Sequence, residues 1–451
     1  MQLFFLLFFT FLQKSVEKSY VFVIMVIVSG VIYMNEQKNI KITDEDLKAA
    51  FEGESKKPRK SEGKSSKKKK YLWFLIPGIC TSVIGIALIV VGVLMLGQSV
   101  TATSYPQVPS KETENATYSL LTGEKLEGEA SQKAPAYCIQ TPNGTDGARP
   151  QAGLNEAGVI FEAVAEAGIT RFAAIYQEPS SGIIGPIRSL RIYYLEWDTP
   201  FDCTIVHAGG ASDAISALSS GGYKELDENN TYMYRGSVAS RRWNNLFTTS
   251  TDLQQYSEKI GKNESDIKGF ARLTPEESKK AQATGANGHE LEITKPAEGN
   301  TSEVESAVSD ISLKFGGIAT FNVNYTYDAE SNTYLRSYAN GLPHEVYKCP
   351  SGDLSGKNPE DQCELTQMAP SVVVAMIVPE RRAADNYHED IDTLGSGDAY
   401  IFQNGIAIKG TWNKASTEDQ IKFKDVEGKE VKLAPGQTFI SAIPNYGSVD
   451  Y

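Results

Sequence analysis

Acidic, basic and imidazole side chains lie inside or beside short apolar runs between Arg149 and Ser212. Ionised groups are seldom buried unless they are paired or used, so this pattern predicts a carboxylate–arginine cluster. In an enzyme, Glu162 or Glu166 would be the general acid or base, and His207 would carry a proton. Arginines suit a carboxylate or phosphate ligand. The predicted ligand-binding residues are Arg149, Arg171, Arg188, Arg191 and Asn245.

The spacing of the charged residues indicates which of them share a face. Glu162 and Glu166 are four residues apart, which predicts one common face in a strand and in a helix alike. Arg188 and Arg191 are three apart across a loop-to-helix junction and can also share a face. Different environments would then separate the pKa values of the two carboxyl groups. The alternative, which composition alone favours, is a buried structural network of salt bridges.

His207 follows a short apolar run and precedes two glycines, as expected at the carboxyl end of a strand, where α/β folds place ligands. The alternative is a histidine whose ring is satisfied by a backbone partner. Residues 241–250, which include Asn245, would form a wall of the same pocket or, alternatively, an exposed loop whose aromatic residues cover the core. Of the other histidines, His344 is kept as a secondary candidate.

The elements that must position these residues follow from periodicity and turn composition. Strands are predicted at 159–166, 170–177 and 203–206, and helices at 189–197 and 213–218. After residue 311, alternating segments at 319–327, 333–338, 371–378, 399–402, 407–412, 422–424 and 438–443 predict further strands. The predicted fold class is therefore α+β. A mixed α/β domain at 148–309, with a polar insertion from about 254, precedes a β-rich domain at 310–451.

An uncharged segment at 71–97 is long enough to cross a bilayer, whose core needs about 20 apolar residues. Four lysines at 67–70 precede it, and no basic residue follows until Lys111. Because positive residues stay in the cytoplasm, we expect a single-pass membrane protein whose large C-terminal part is extracytoplasmic. The alternative for this segment is a buried core helix.

The remaining N-terminal segments are predicted to lack a packed fold. Residues 1–34 are expected to be an apolar leader, either signal-like or a second, marginal transmembrane helix, or else an untranslated extension if translation starts at Met25 or Met34. Residues 35–70 are predicted to be a disordered basic tail in the cytoplasm. Residues 98–147 are rich in Thr, Ser, Pro, Glu and Gly and predict a flexible stalk.

Charge limits the class of partner. The first 70 residues hold 14 Lys and Arg against 8 Asp and Glu, so the chain's net charge of −12 leaves −18 for the rest. This acidic balance excludes nucleic acid as the expected partner. No phosphate-binding loop, dinucleotide fingerprint, serine-hydrolase elbow or calcium loop is present, so no cofactor is predicted.

Four cysteines follow the uncharged segment. Cys349 and Cys363 bracket a polar, turn-rich stretch and predict a loop closed by a disulfide, although two free thiols are the alternative. Cys138 with Cys203 then follows by elimination. No Cys or His spacing matches a zinc site, so no metal is predicted.

Several short motifs taken together identify a family resemblance. They are RPQAGL at 149–154, GPIRS at 185–189, VHAGG at 206–210, NLFTTS at 245–250, GIAIKGTWNK at 405–414 and LAPGQTFISAIP at 433–444. These resemble the YerB-like family of bacterial membrane-anchored lipoproteins, which has two parts and no established activity. The resemblance covers about 149–444 and implies an extracytoplasmic location. It departs in the anchor, because members usually carry a lipid-attached cysteine, and at 243–245, where the family's Pro-His-Asn is Trp-Asn-Asn.

The function expected from these observations is that of a membrane-tethered, extracytoplasmic cell-envelope protein. Its N-terminal domain would hold a cleft for an anionic or glycan ligand, such as a cell-wall glycan. Hydrolysis or transfer of that ligand is the reaction class that the paired carboxylates suggest. The alternative is a non-enzymatic envelope scaffold or sensor module.

Overall fold

The computed structural model describes residues 116–127, 131–238, 241, 243–282 and 305–451. The predicted leader, basic tail and transmembrane segment at 71–97 lie outside the described residues. Within the described ranges, no helix combines the length and the apolar content that a membrane span requires.

Helices and strands are numbered here in chain order. The strands are β1 Ala136–Pro142, β2 Val159–Glu166, β3 Ile169–Gln177, β4 Thr204–His207, β5 Lys224–Asp227, β6 Tyr234–Arg235, β7 Leu246–Phe247, β8 Glu305–Ala307, β9 Asp310–Lys314, β10 Val323–Asp328, β11 Thr333–Tyr338, β12 Glu345–Lys348, β13 Glu364–Gln367, β14 Val372–Val378, β15 Glu380–Arg382, β16 Glu389–Ile391, β17 Gly395–Gln403, β18 Ile406–Lys414, β19 Lys422–Asp425, β20 Thr438–Pro444 and β21 Ser448–Asp450. The helices are α1 Ile192–Asp198, α2 Ser212–Gly221, α3 Ser250–Ile260, α4 Pro275–Ala281 and α5 Pro359–Gln362.

One large mixed sheet organises the described residues. Ten of its strands run in the order β19-β18-β17-β14-β20-β2-β3-β1-β4-β5, and β8 pairs with β18. Strand β20 lies between β14 and β2 and is parallel to both. The predicted boundary at 309/310 therefore separates strands that are hydrogen-bonded neighbours. The fold is a mixed α/β fold made mostly of strands, as the sequence predicts in outline.

The hairpin formed by β2 and β3 carries three of the eight predicted site residues, Glu162, Glu166 and Arg171. Its apolar side chains alternate between two cores, as a strand buried on both faces requires. Phe161 packs on α1, with its ring 5.3 Å from that of Trp197. Ile160 and Phe172 point to the opposite core. The register shifts between Val164 and Glu166, which marks a β-bulge just before the turn.

Strand β1 corrects the stalk prediction in its last residues. All seven residues of Ala136–Pro142 are buried, and the strand lies between β3 and β4 in the large sheet. The polar Gln140 makes this stretch look unlike a buried strand in the sequence. In the structure its amide donates to the buried Asp198 carboxyl group at 2.9 Å. Cys138 forms a disulfide with Cys203 on the neighbouring chain segment. Burial here comes from distant partners, which local composition does not reveal.

A second sheet, in the order β11-β10-β9-β21, packs against the first. Leu313, Val323 and Tyr325 of this sheet share a core with Val373 and Phe402 of the large sheet. Strand β11 alternates partly buried and fully buried residues, and its buried face consists of Tyr334, Arg336 and Tyr338. An arginine thus lies at a core position.

The segment predicted as a polar insertion from about 254 contributes apolar side chains to both cores of the large sheet. Leu253 and Tyr256 of α3 join one core of the large sheet, while Ile267 and Phe270 join the other. Residues 283–304 lie outside the described part of the chain. The predicted disulfide between Cys349 and Cys363 is confirmed, as is that between Cys138 and Cys203.

Candidate functional site

Glu162 lies in a sealed ionic network between the two sheets. Its Oε2 accepts from Nη2 of Arg336 at 2.8 Å, and neither side chain is exposed. Its Oε1 accepts from Oγ1 of Thr170 at 2.8 Å and from Nδ2 of Asn143 at 3.3 Å. Both carboxylate oxygens are therefore occupied by protein donors. This is the geometry of the structural salt-bridge alternative.

The network continues from Arg336 to the loop before β12. Arg336 also bonds to Nδ1 of His344 and donates to the Tyr325 hydroxyl at 3.1 Å. Nε2 of His344 lies 3.2 Å from Oε1 of Gln151. The amide of Gln151 donates to the Pro142 carbonyl at 3.0 Å. His344 thus joins the network as a fully buried member.

Burial and neighbouring charge set the protonation of these groups. Burial lowers the pKa of His344 well below its usual value, and the charges of Arg336 and Arg149 lower it further. The imidazole is therefore neutral. Burial also opposes the charge of Arg336, but the Glu162 carboxylate and the Tyr325 hydroxyl raise its pKa above the ordinary value. The Arg336 guanidinium therefore keeps its charge inside the protein.

Glu166 belongs to a separate cluster. Its Oε1 pairs with Arg171, and its Oε2 accepts from Nη2 of Arg191 at 2.7 Å. Arg171 also donates to the Ser189 carbonyl at 3.2 Å, which ties the strand to the segment before α1. Arg191 is the residue before α1 and is nearly fully buried. One carboxylate thus pairs with two guanidinium groups.

The two glutamates do not share a face, contrary to the even-spacing prediction. Glu162 bonds to Thr170, whereas Glu166 bonds to Arg171. Thr170 and Arg171 are successive residues of β3, and successive side chains of a strand point to opposite faces. The β-bulge after Val164 is the physical reason, because one extra residue reverses the alternation.

Arg188 differs from the other arginines of this hairpin region. Its backbone is held by Gln140 and Ala208, while its side chain lines an open recess of about 530 Å³. In the described part of the chain no carboxylate lies within 4.0 Å of its guanidinium. Glu166 and Arg171 form another wall of this cavity, which we call the Arg188 recess.

Aromatic and polar side chains complete the Arg188 recess. Trp243 and Tyr387 line it and are about half exposed. The Trp243 indole donates to Oδ2 of Asp146 at 3.1 Å, and the amide of Asn244 donates to the Asp146 carbonyl at 3.2 Å. Of the segment 241–250, which the sequence offers as a pocket wall or as an exposed loop, Trp243 and Asn244 line this recess.

Arg149 lines a second cavity of about 580 Å³, the Arg149 recess. Its guanidinium lies 3.8 Å from the centre of the Tyr338 ring, and its Nε donates to Oδ1 of Asn143 at 2.8 Å. Burial lowers the pKa of Arg149, and the nearby charge of Arg336 adds to that effect, while Tyr338 and Glu162 oppose it. The guanidinium is therefore fixed in position by neutral and aromatic partners.

His207 and Asn245 lie in other surroundings. The His207 ring bonds to the Gly209 carbonyl at 2.9 Å through Nδ1 and to Oε1 of Glu225 at 3.0 Å through Nε2. Asn245 accepts from Arg235 at 3.2 Å and donates to the Gly236 carbonyl at 3.2 Å. Neither residue lines the Arg188 recess or the Arg149 recess. The eight predicted residues thus occupy several places rather than one cluster.

Sequence reasoning missed Arg336, which anchors the sealed network. The available signal was its place in β11, where Tyr334 and Tyr338 flank it at spacings of two and mark the buried face. A charged residue in such a register needs a buried partner of opposite charge. Across residues 116–127, 131–238, 241, 243–282 and 305–451, no three or more His, Cys, Asp or Glu side chains are grouped to hold a metal ion.

Comparisons with known proteins show which family this chain resembles. The model described as "Protein of unknown function (DUF3048) N-terminal domain" matches residues 121–263, and its C-terminal counterpart matches residues 311–440. The chain is 27% identical over 326 residues to a Bacillus subtilis (strain 168) protein named "Putative lipoprotein YerB", covering 72% of this chain and 86% of the relative.

A solved structure shows the same fold. The crystal structure of the YerB protein from Bacillus subtilis superposes with a TM-score of 0.56 at 22% identity, covering 74% of this chain and 100% of that chain. The two family models match successive parts of the chain. The chain belongs to the YerB-like family, a two-part family of unknown function.

Proposed function

We propose that this protein is a membrane-tethered, extracytoplasmic cell-envelope protein that binds an anionic group of a glycan in the Arg188 recess. The uncharged segment at 71–97, preceded by lysines, supports a membrane tether. Two disulfides are typical of an oxidising compartment outside the cytoplasm. The relative's name as a lipoprotein supports the same location.

The observation that carries the proposal is the contrast between Arg188 and its neighbours. Arg171 and Arg191 share the Glu166 carboxylate. Arg188 faces the recess, and no carboxylate of the described chain pairs with it. A guanidinium presents parallel donors that match a carboxylate or phosphate in two hydrogen bonds. Arg188 therefore has donors available for an anionic ligand.

Binding without bond cleavage is the form of the proposal that the contacts support. A general acid or base must reach the proton that it transfers. Glu162 is sealed among Arg336, Thr170 and Asn143. Glu166 has each oxygen committed to an arginine. These contacts favour a binding module over the hydrolase or transferase that paired carboxylates suggest.

The test is isothermal titration of the full-length protein in detergent with a short galacturonate oligomer and its uncharged methyl ester. Arg188→Met keeps the length of the side chain and removes its charged donors. We expect a loss of affinity of about 10- to 100-fold for the acidic oligomer, since hydrogen bonds to charged groups contribute about 1.5–3 kcal/mol. The matched control is Arg235→Met, an exposed arginine outside the recess that is paired with Glu228.

Each outcome separates the alternatives. Equal binding by wild type and Arg188→Met would overturn the site assignment. Equal binding of the acidic and esterified oligomers would overturn the anion preference. Absence of binding would favour the scaffold or sensor module, and shortening of the oligomer during incubation would restore the enzymatic hypothesis.

A further inference from the structure

We propose that the Arg188 recess and the Arg149 recess are two linked subsites for one extended acidic glycan chain. This inference rests on the proposed function and names the form of its ligand. A single anionic group needs only Arg188. The structure offers a second cavity of similar size beside it, with its own arginine.

The two recesses share part of their walls. Thr145 and Thr320 line both cavities. Phe321 lines the Arg188 recess, and the Arg149 guanidinium lies 5.2 Å from the centre of its ring. The segment at 319–321 therefore forms a ridge between two adjoining cavities. A chain that fills one cavity would meet the other on crossing this ridge.

Asn143 contacts both subsites. Its Oδ1 accepts from Nε of Arg149 at 2.8 Å, and its side chain also lines the Arg188 recess. Its Nδ2 donates to Thr170 at 2.8 Å and to Glu162 at 3.3 Å, so the amide is fixed by the sealed network. Arg149 is thus positioned before any ligand arrives, and preorganised groups lose less entropy on binding.

Exposed apolar side chains rim both recesses. Trp243 and Tyr387, at 54% and 58% exposure, line the Arg188 recess, and Leu342, at 61%, lines the Arg149 recess. Large apolar side chains exposed around polar cavities mark binding surfaces. Aromatic residues are suited to ligands that are apolar on one side and polar on the other, as sugar rings are. Such a rim fits a glycan better than a bare anion.

The charges of the linings indicate which acidic polymer fits. Acidic side chains line both recesses: Asp146 and Glu166 accompany Arg188, and Glu345 accompanies Arg149. A polymer with closely spaced negative charges, such as polyphosphate, would be repelled by these carboxylates. A uronate glycan, which spaces its carboxylates with neutral hydroxyl-bearing atoms, would be better accommodated. This favours a carboxylated glycan over polyphosphate.

The experiment measures affinity against chain length. Galacturonate mono-, di-, tetra- and hexamers are titrated into the full-length protein in detergent, with polyphosphate of matched length as comparator. Joining two subsites makes the second contact intramolecular, so we expect the hexamer to bind at least about tenfold more tightly than the dimer. Leu342→Asp should remove that gain and leave dimer affinity within about twofold. The matched control is Leu365→Asp, an exposed leucine on β13 outside both cavities.

The outcomes distinguish this inference from the function on which it rests. Equal affinity at all lengths would overturn the linked subsites and keep the Arg188 site. Equal effects of Leu342→Asp and Leu365→Asp would overturn the second subsite. Tighter binding of polyphosphate would overturn the glycan class. Failure of every oligomer to bind would overturn the proposed function itself.

Discussion

Arg336 and Glu162 form an ion pair across 174 residues of sequence, with Nη2 and Oε2 2.8 Å apart and no exposed surface on either side chain. The pair joins β11 of the small sheet to β2 of the large one. A buried charge destabilises a fold strongly when its partner of opposite charge is removed. Their contribution should therefore be visible when one partner is neutralised.

Glu162→Gln should destabilise the protein by about 3–5 kcal/mol, because Arg336 is left as a buried charge without a counter-ion. Denaturant unfolding of the full-length protein measures the change. Asp390→Asn, which removes one exposed partner of Arg381, is the control and should cost at most about 1 kcal/mol. A Glu162→Gln protein as stable as this control, but without affinity for the ligand, would make Glu162 a site residue.

Glu166→Gln should strengthen the binding of an anionic oligomer by several-fold and weaken the fold. The carboxylate pairs with Arg171 and Arg191 beside the Arg188 recess. Its removal therefore makes the recess more positive and leaves two buried guanidinium groups short of an acceptor. Titration at two salt concentrations measures the gain, which should shrink as salt rises. Loss of binding instead would mean that Glu166 itself contacts the ligand.

The contribution of Glu380 to the unfolding free energy should fall as the pH rises from about 4.5 to 7. Burial raises the pKa of its carboxyl group from 4.5 to about 7, although the hydrogen bond from Tyr446 at 2.5 Å opposes the shift. In that window the folded state holds a proton on Glu380 that the unfolded chain has released. The contribution of this carboxyl group to stability is therefore largest below the unfolded pKa. The loss should be roughly 2–3 kcal/mol.

Glu380→Gln should remove this part of the pH dependence, because a neutral amide does not titrate. Denaturant unfolding at several pH values between 4 and 8 compares it with wild type and with Glu427→Gln. Glu427 is an exposed residue in a turn and should leave the profile unchanged. A wild-type profile that stays parallel to that of Glu380→Gln would contradict the assignment.

The two disulfides should contribute unequally. Cys349 and Cys363 close a loop with a separation of 14 residues, whereas Cys138 and Cys203 are 65 residues apart. Loop-closure entropy predicts losses of about 3 and about 4 kcal/mol when each pair is replaced by serines. Thermal unfolding of the two double variants measures the order. A larger loss for the pair at 349 and 363 would contradict the entropic account.

The fold was largely predictable where local pattern and tertiary role agree. The strands predicted at 159–166 and 333–338 coincide with β2 and β11, because β2 is a short, nearly continuous apolar run and β11 has tyrosines at an even spacing. Strand β1 was not predicted, since its burial depends on β3 and β4, which are distant in sequence. The helix α1 begins three residues later than the predicted segment at 189–197, because Arg191 is held by Glu166 in extended backbone.

The candidate site was predictable in composition but not in arrangement. The sequence identified Glu162, Glu166 and the arginines as unusual in an apolar region. A one-residue bulge after Val164 then placed the two carboxylates on opposite faces, and no periodicity predicts such a bulge. The partner of Glu162 is Arg336, which lies in the other half of the chain, so residue spacing within 149–212 could not reveal the pairing.

Strand β20 lies between β14 and β2 and pairs with both, so it joins a strand of the second half of the chain to one near the start of the folded part. A recombinant fragment that stops before residue 300 would leave the edge of β2 without its neighbour. Bare hydrophobic strand edges recruit other chains, so such a fragment should precipitate or form filaments. Biochemical work on this family is therefore best done on polypeptides that contain both β2 and β20.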